Sequence, residues 1–124
     1  MRLLLDTNVL IWWARSERLS SAASIAIASA ETEIFVSAVS IWEAEIKASQ
    51  GKLELGRNLA DEVELHGFIP LAIRFEHASK AANLPFHHRD PFDRMLVAQA
   101  TVEELVLVTR DAELESYGVP LLVA

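Results

Sequence analysis

Leu3-Leu4-Leu5-Asp6-Thr7-Asn8 decides how the rest of the chain is read: three leucines run straight into a carboxylate and two small polar residues. So short an apolar run cannot fill a helix, and it lacks the polar alternation of a half-exposed strand. It predicts the buried central strand of a parallel sheet. Asp6 then stands at the carboxyl end of that strand. In open α/β sheets this is the edge where ligands bind, so what matters next is which other residues converge there.

Outward from that strand, residues 9–14 are too continuously apolar for a surface helix and predict a segment buried on several sides or covering a partner. Ser20 and Ser21 can cap an alanine-rich helix over 22–30, and 34–36 reads as a second strand. Residues 37–40 lead into a helix of about ten residues stopped by Gly51. A helix over 58–66 stops at Gly67, and 68–73, broken by Pro70, reads as a short edge strand. Residues 74–83 look helical and end before Pro85; a polar loop, 86–90, precedes a helix from Pro91 to about Glu103. The clearest strand is 105–109, followed by a short helix over 111–117, Gly118 and a last strand over 120–123. Strands alternating with helices predict an α/β sandwich whose central sheet is mostly parallel and flanked by helices.

With 124 residues the chain reads as one domain, long enough to bury roughly two-thirds of its unfolded surface. It has no cysteine, which fits a reducing compartment, and no signal peptide or membrane-length apolar run, so the expectation is a cytoplasmic protein. Eleven Lys and Arg against 18 Asp and Glu leave a net charge of −7, which argues against a broad electrostatic grip on nucleic acid. A local grip survives, because a divalent cation held by some of those acids inverts the field and attracts phosphate.

Four acids, Asp6, Glu43, Asp93 and Asp111, fall at strand ends or helix starts, with Asp90 beside Asp93. Glu43 closes the sequence Ser40-Ile41-Trp42-Glu43, a capping-box pattern, with Lys47 in position for an i+4 ion pair. Asp90-Pro91-Phe92-Asp93 is a second helix start, with Asp90 as a candidate N-cap and Arg94 as its candidate ion partner. Asp93 shares a helical face with Val97 and Ala100, so its carboxylate points toward an apolar layer and needs a partner. Asp111 follows the strand over 105–109 as Asp6 follows the first, and it can cap the helix beginning at Ala112. Clustered at one sheet edge, such carboxylates repel by roughly 4 kcal/mol per pair at 4 Å and an effective dielectric of 20. A hard cation relieves that repulsion, and an all-oxygen donor set favours Mg²⁺ or Mn²⁺ over Zn²⁺.

Asp6-Thr7-Asn8 after an apolar strand, Ser40 to Glu43 opening a helix, DPFDRMLVAQA over 90–100 and VTRD over 108–111 together resemble a PIN domain. More closely, they are similar to the VapC-type toxin ribonucleases of type II toxin-antitoxin modules. The likeness spans essentially all of 1–124 in order, and the joint order is far more specific than any single piece. It implies a PIN-like three-layer sandwich and a metal-dependent endoribonuclease in which Asp6, Glu43, Asp93 and Asp111 hold one or two Mg²⁺ or Mn²⁺ ions. Asp90 is a possible additional acid, and Thr7, Asn8 and Thr109 would orient the carboxylates. The implied chemistry is in-line attack of metal-activated water on an RNA phosphodiester, giving 5′-phosphate and 3′-hydroxyl ends.

The resemblance also implies a homodimer and a VapB-like antitoxin in a toxin-antitoxin hetero-oligomer, with Trp12, Trp13 and the alanine-rich helix in the antitoxin groove. His87, His88, Arg89, Arg94 and Arg110 are candidate RNA contacts, equally explained by a solvated polar loop. Trp12, Trp13 and Trp42 read as core or interface rather than as stacking platforms. Two alternatives stay open. A receiver-like signalling domain shares the size and pattern but would carry an adjacent acidic pair and a late lysine, where this chain has Asn8 and Arg110. A non-catalytic PIN module would usually lack one of the four acids.

Overall fold

In the computed structural model, which describes residues 1–124, Arg2–Leu5 forms β1 and the chain enters α1 (Thr7–Ala14) after a single intervening residue, Asp6. α2 (Ser21–Ala28) follows, its first turn closed by Ser20, whose Oγ accepts from the Ala23 amide at 3.0 Å. Next come β2 (Glu33–Ser37), α3 (Ala38–Ser49) and α4 (Leu59–Leu65), then β3 (Ile69–Leu71), α5 (Phe75–Ala82) and α6 (Pro91–Glu103). β4 (Val106–Thr109), a 3-10 turn (Ala112–Tyr117) and β5 (Leu121–Val123) complete the chain.

The strands form one five-stranded sheet in the order β3-β2-β1-β4-β5, and every pairing is parallel. Leu3, Leu4 and Leu5 are completely buried because β1 is paired on both edges and covered on both faces. Alternation along the strand sends Leu3 and Leu5 to one face, with Val9, Leu10, Ala23, Leu59 and Val63 from α1, α2 and α4. Leu4 packs on the other face with Leu96, Val97 and Ala100 of α6. These are the three layers expected. Pro70 sits in the edge strand β3, where its missing N–H costs no ladder bond.

One helix start differs from the sequence expectation. α3 is capped by Ser37, whose Oγ accepts from the Val39 amide at 3.1 Å, so the helix begins at the last residue of β2 and no capping box forms at Ser40. Glu43 therefore lies in the second turn, free of a capping role. Because all strands are parallel, the residues that follow β1, β2 and β4 emerge on one edge. Between β1 and β4 the chain's crossovers reverse direction, which opens the crevice expected at a switch point. No helix is long and apolar enough to cross a membrane.

Candidate active site

Asp6 occupies that crevice. It is 6% exposed and caps α1, its Oδ1 accepting from the Val9 amide at 2.8 Å. A second bond comes from the Thr109 hydroxyl at the end of β4. The same hydroxyl oxygen accepts from the Asp111 amide at 3.0 Å, so one threonine ties the ends of β1 and β4 together. Burial raises the Asp6 pKa, the two hydrogen bonds oppose it, and the charges of Glu43 and Asp111 raise it further.

Asp93 lies in the first turn of α6, and its pKa is pushed up to about 7. Burial is the main cause, followed by the Asp90 charge; His88 pulls the other way, and Asp6 and Glu43 add to the rise. Glu43 reaches in from α3. Its Oε2 pairs with Lys47 at 3.1 Å, as the i+4 spacing predicts, while Oε1 is buried without a hydrogen-bond partner. Asp111 begins the 3-10 turn, with Oδ1 accepting from the Glu113 amide at 3.0 Å and Oδ2 facing His88 Nε2 at 2.9 Å. Thus Asp6, Glu43, Asp93 and Asp111, brought from four separate elements, act on one another electrostatically at one sheet edge.

The donor set fits a hard divalent cation. A buried carboxylate oxygen without a partner and two carboxyls driven upward by burial and mutual repulsion mark a place short of positive charge. All four groups offer oxygen, the chemistry of Mg²⁺ or Mn²⁺.

The surrounding residues divide. Asp90 is the N-cap of α6, with Oδ1 accepting from the Phe92 and Asp93 amides at 2.8 and 3.3 Å, and it acts on Asp93 through its charge. Thr7 donates to Ser40 Oγ at 3.2 Å, joining the start of α1 to α3. Asn8 is exposed and makes no hydrogen bond to any of the four carboxylates. Trp42, expected in a core or interface, is 58% exposed and meets Phe92 edge-on at 5.2 Å, beside Glu43 and Asp93. Neither the inward role of His88 nor that of Ser40 is encoded in local spacing, because each depends on a partner from a distant element.

Two cations named for RNA contact are committed elsewhere. Arg94 is 8% exposed and donates to the carbonyls of Ala81, Leu84, Pro85 and His88 and to Tyr117 Oη, at 2.8 to 3.4 Å. It clamps the loop ahead of α6 and makes no ion pair with Asp90. Arg110 lies over the Trp12 ring at 3.9 Å and donates to the carbonyls of Ala124 and Arg18. Arg89 and His87 stay exposed on the loop. Replacing Arg94 with Ala removes the hydrogen bonds of a buried guanidinium to four carbonyls and Tyr117 and is expected to cost about 3 kcal/mol or more, with Lys a poor substitute because it cannot fan its donors. Urea unfolding checks this; unaltered stability with weakened RNA binding would restore Arg94 to the phosphate.

The PIN domain family profile matches residues 3–120. Ribonuclease VapC22 of Mycobacterium tuberculosis is 36% identical over 126 residues, covering 94% of this chain and 92% of its own. In fold, the chain is similar to the crystal structure of VapBC2 from Rickettsia felis bound to a promoter DNA fragment. There the TM-score is 0.78 at 16% identity, over 100% of this chain and 99% of the other. DNA-bound VapBC from Salmonella typhimurium gives a TM-score of 0.71 at 19% identity, over 99% and 98% of the two chains. The receiver-like alternative is thereby set aside, and the chain belongs to the PIN domain family, as a relative of the VapC ribonucleases.

Proposed function

We propose that this protein is a divalent-metal-dependent endoribonuclease, a single PIN domain acting as the toxin half of a VapBC-type pair in the cytoplasm. The observation that carries the reading is the convergence of Asp6, Glu43, Asp93 and Asp111 at the crevice, with Glu43 Oε1 buried and unpaired. Mg²⁺ or Mn²⁺ bound there would supply an activated water and positive charge against the leaving 3′ oxygen. Asp6 and Asp93 would be the most direct ligands, with Glu43 and Asp111 acting partly through bound water. Asp6 is pre-oriented by the Val9 amide and Thr109, so it need not be reorganised when the metal arrives. Asp90 holds the start of α6 and thereby places Asp93. Arg89, exposed beside the site, is the cation left to meet RNA phosphate.

For the antitoxin, a cavity of about 900 Å³ lies between α1, the 54–57 loop and α4, lined by Trp13, Leu55, Arg57, Leu59 and His66. A neighbouring one of about 450 Å³ continues past Trp13 to Ile27 and Phe68. Trp13 and the alanine-rich α2 thus line a groove of the kind a VapB-like segment would fill, whereas Trp12 is covered by Arg110. A homodimer in the toxin-antitoxin assembly goes with this reading.

The test is cleavage of structured and single-stranded RNAs by antitoxin-free protein, with Mg²⁺ or Mn²⁺ and with EDTA. Cutting that needs the metal and leaves 5′-phosphate ends supports the proposal. Cutting that continues in EDTA, or a folded protein that cuts nothing while binding RNA, would favour a non-catalytic or metal-free reading.

A further inference from the structure

We propose that His88 is a positioning residue of the site, whose Nε2–H holds the Asp111 carboxylate toward the acid cluster, and that it is not itself a metal ligand. The proposal rests on the metal-site reading above. Its first support is the tautomer. His88 Nδ1 lies 3.1 Å from the Asp90 amide nitrogen, and a backbone N–H can only donate, so Nδ1 is the acceptor and carries no proton. The ring proton therefore sits on Nε2. That N–H faces Asp111 Oδ2 at 2.9 Å, with Asp93 Oδ2 at 3.5 Å and Glu113 Oε2 at 3.9 Å.

A metal ligand needs a lone pair at Nε2, and this hydrogen-bond pattern leaves none there. Although His88, Asp111 and Glu113 bring potential ligand atoms within 4.8 Å of one another, the imidazole is a donor in that group. Asp111 needs such a donor. Among Asp6, Glu43, Asp93 and Asp111 it is the most exposed, its side chain 35% accessible against 12% for Glu43 and 24% for Asp93, and it stands on a short 3-10 turn. The Glu113 amide fixes Oδ1 and His88 fixes Oδ2, so together they stop the carboxylate from rotating.

The loop is built to hold the ring in place. The His88 amide donates to Tyr117 Oη at 2.9 Å, and Arg94 reaches the His88 carbonyl at 3.4 Å. Arg94 in turn grips Ala81, Leu84 and Pro85, so the clamp that orders the loop also aims the imidazole. This links a buried arginine of α6 to a carboxylate that follows β4.

The experiment measures Mn²⁺ binding to the full chain by calorimetry for wild type, His88→Ala and His88→Gln, with unfolding curves to confirm that each is folded. Loss of an orienting partner should weaken Mn²⁺ binding about tenfold in His88→Ala. Glutamine, whose amide can place an N–H near the position of Nε2, should recover most of that loss. In the wild type, ¹⁵N NMR of the imidazole should show Nε2 protonated and Nδ1 unprotonated, both without metal and with Mg²⁺. Undiminished binding in His88→Ala, glutamine no better than alanine, or a ring that loses its Nε2 proton on metal addition would each overturn the proposal. A wild type that binds no Mn²⁺ would overturn the metal reading as well, and so is distinguishable from failure of His88 alone.

Discussion

Asp93→Asn is expected to lower metal-dependent RNA cleavage by about three orders of magnitude, equal to about 4 kcal/mol of transition-state stabilisation. The side chain keeps its size and position in α6, but the charge that a divalent cation requires is gone. The same substitution should raise the melting temperature of metal-free protein at pH 8, because it removes a carboxylate that burial and the neighbouring Asp90 charge push up to about 7. Lost activity with gained stability identifies a residue kept for chemistry at a cost to the fold. Asp90→Asn should behave differently: asparagine caps a helix as well as aspartate, so cleavage should fall far less. Single-turnover rates and thermal melts of both variants check this. Equal losses, or a larger loss at Asp90, would move the metal toward the helix cap.

The second large effect is on stability, through pH and metal together. With its pKa raised from 3.8 to about 7, folded Asp93 holds a proton over a range where the unfolded chain has released it. The stability this proton confers is full below the unfolded value and is lost as pH rises through about 7; Asp6, also raised, acts in the same direction. Above pH 7 the site holds uncompensated charge, and on the proposed function a divalent cation would replace the missing proton. Mg²⁺ or Mn²⁺ at a hundredfold its dissociation constant should therefore raise the melting temperature by about 10 °C at pH 8. Near pH 5.5 it should do little, because proton and metal compete for the same oxygens. Melts at both pH values, with EDTA as control, decide the matter; an equal shift at both would place the metal away from these carboxylates.

The fold was legible because its strongest signals are local. Leu3 to Leu5 could be little other than a central strand, Pro70 marked an edge, and Asp90-Pro91 marked a helix start, and each stands where periodicity and cap chemistry place it. Local chemistry failed where two starts compete. Ser37 and Ser40 are both good caps, and the sequence after Ser40 completes a capping box. The earlier serine wins because β2 ends there, a fact set by strand pairing rather than by the helix.

Within the site, Asp93 could be singled out because Val97 and Ala100 share its face, and both prove buried. Arg94 could not be read correctly. Its carbonyl partners lie on the α5 side of the loop and Tyr117 lies beyond β4, and neither contact leaves a mark in the spacing around residue 94. His88 and Arg110 were obscure for the same reason: a polar side chain in a loop looks solvated until the fold brings a distant acceptor to it. Long-range polar contacts are the part of a site that pattern carries least.

An anomalous-scattering map from crystals of the full chain equilibrated with Mn²⁺ locates the metal directly. Density is expected in the crevice, within coordination distance of carboxylate oxygens of Asp6 and Asp93, with Glu43 and Asp111 directly or through water. Manganese found instead at His88 and Glu113, at the Glu76, His77 and Glu103 group, or nowhere at saturating metal, would contradict the four-carboxylate site.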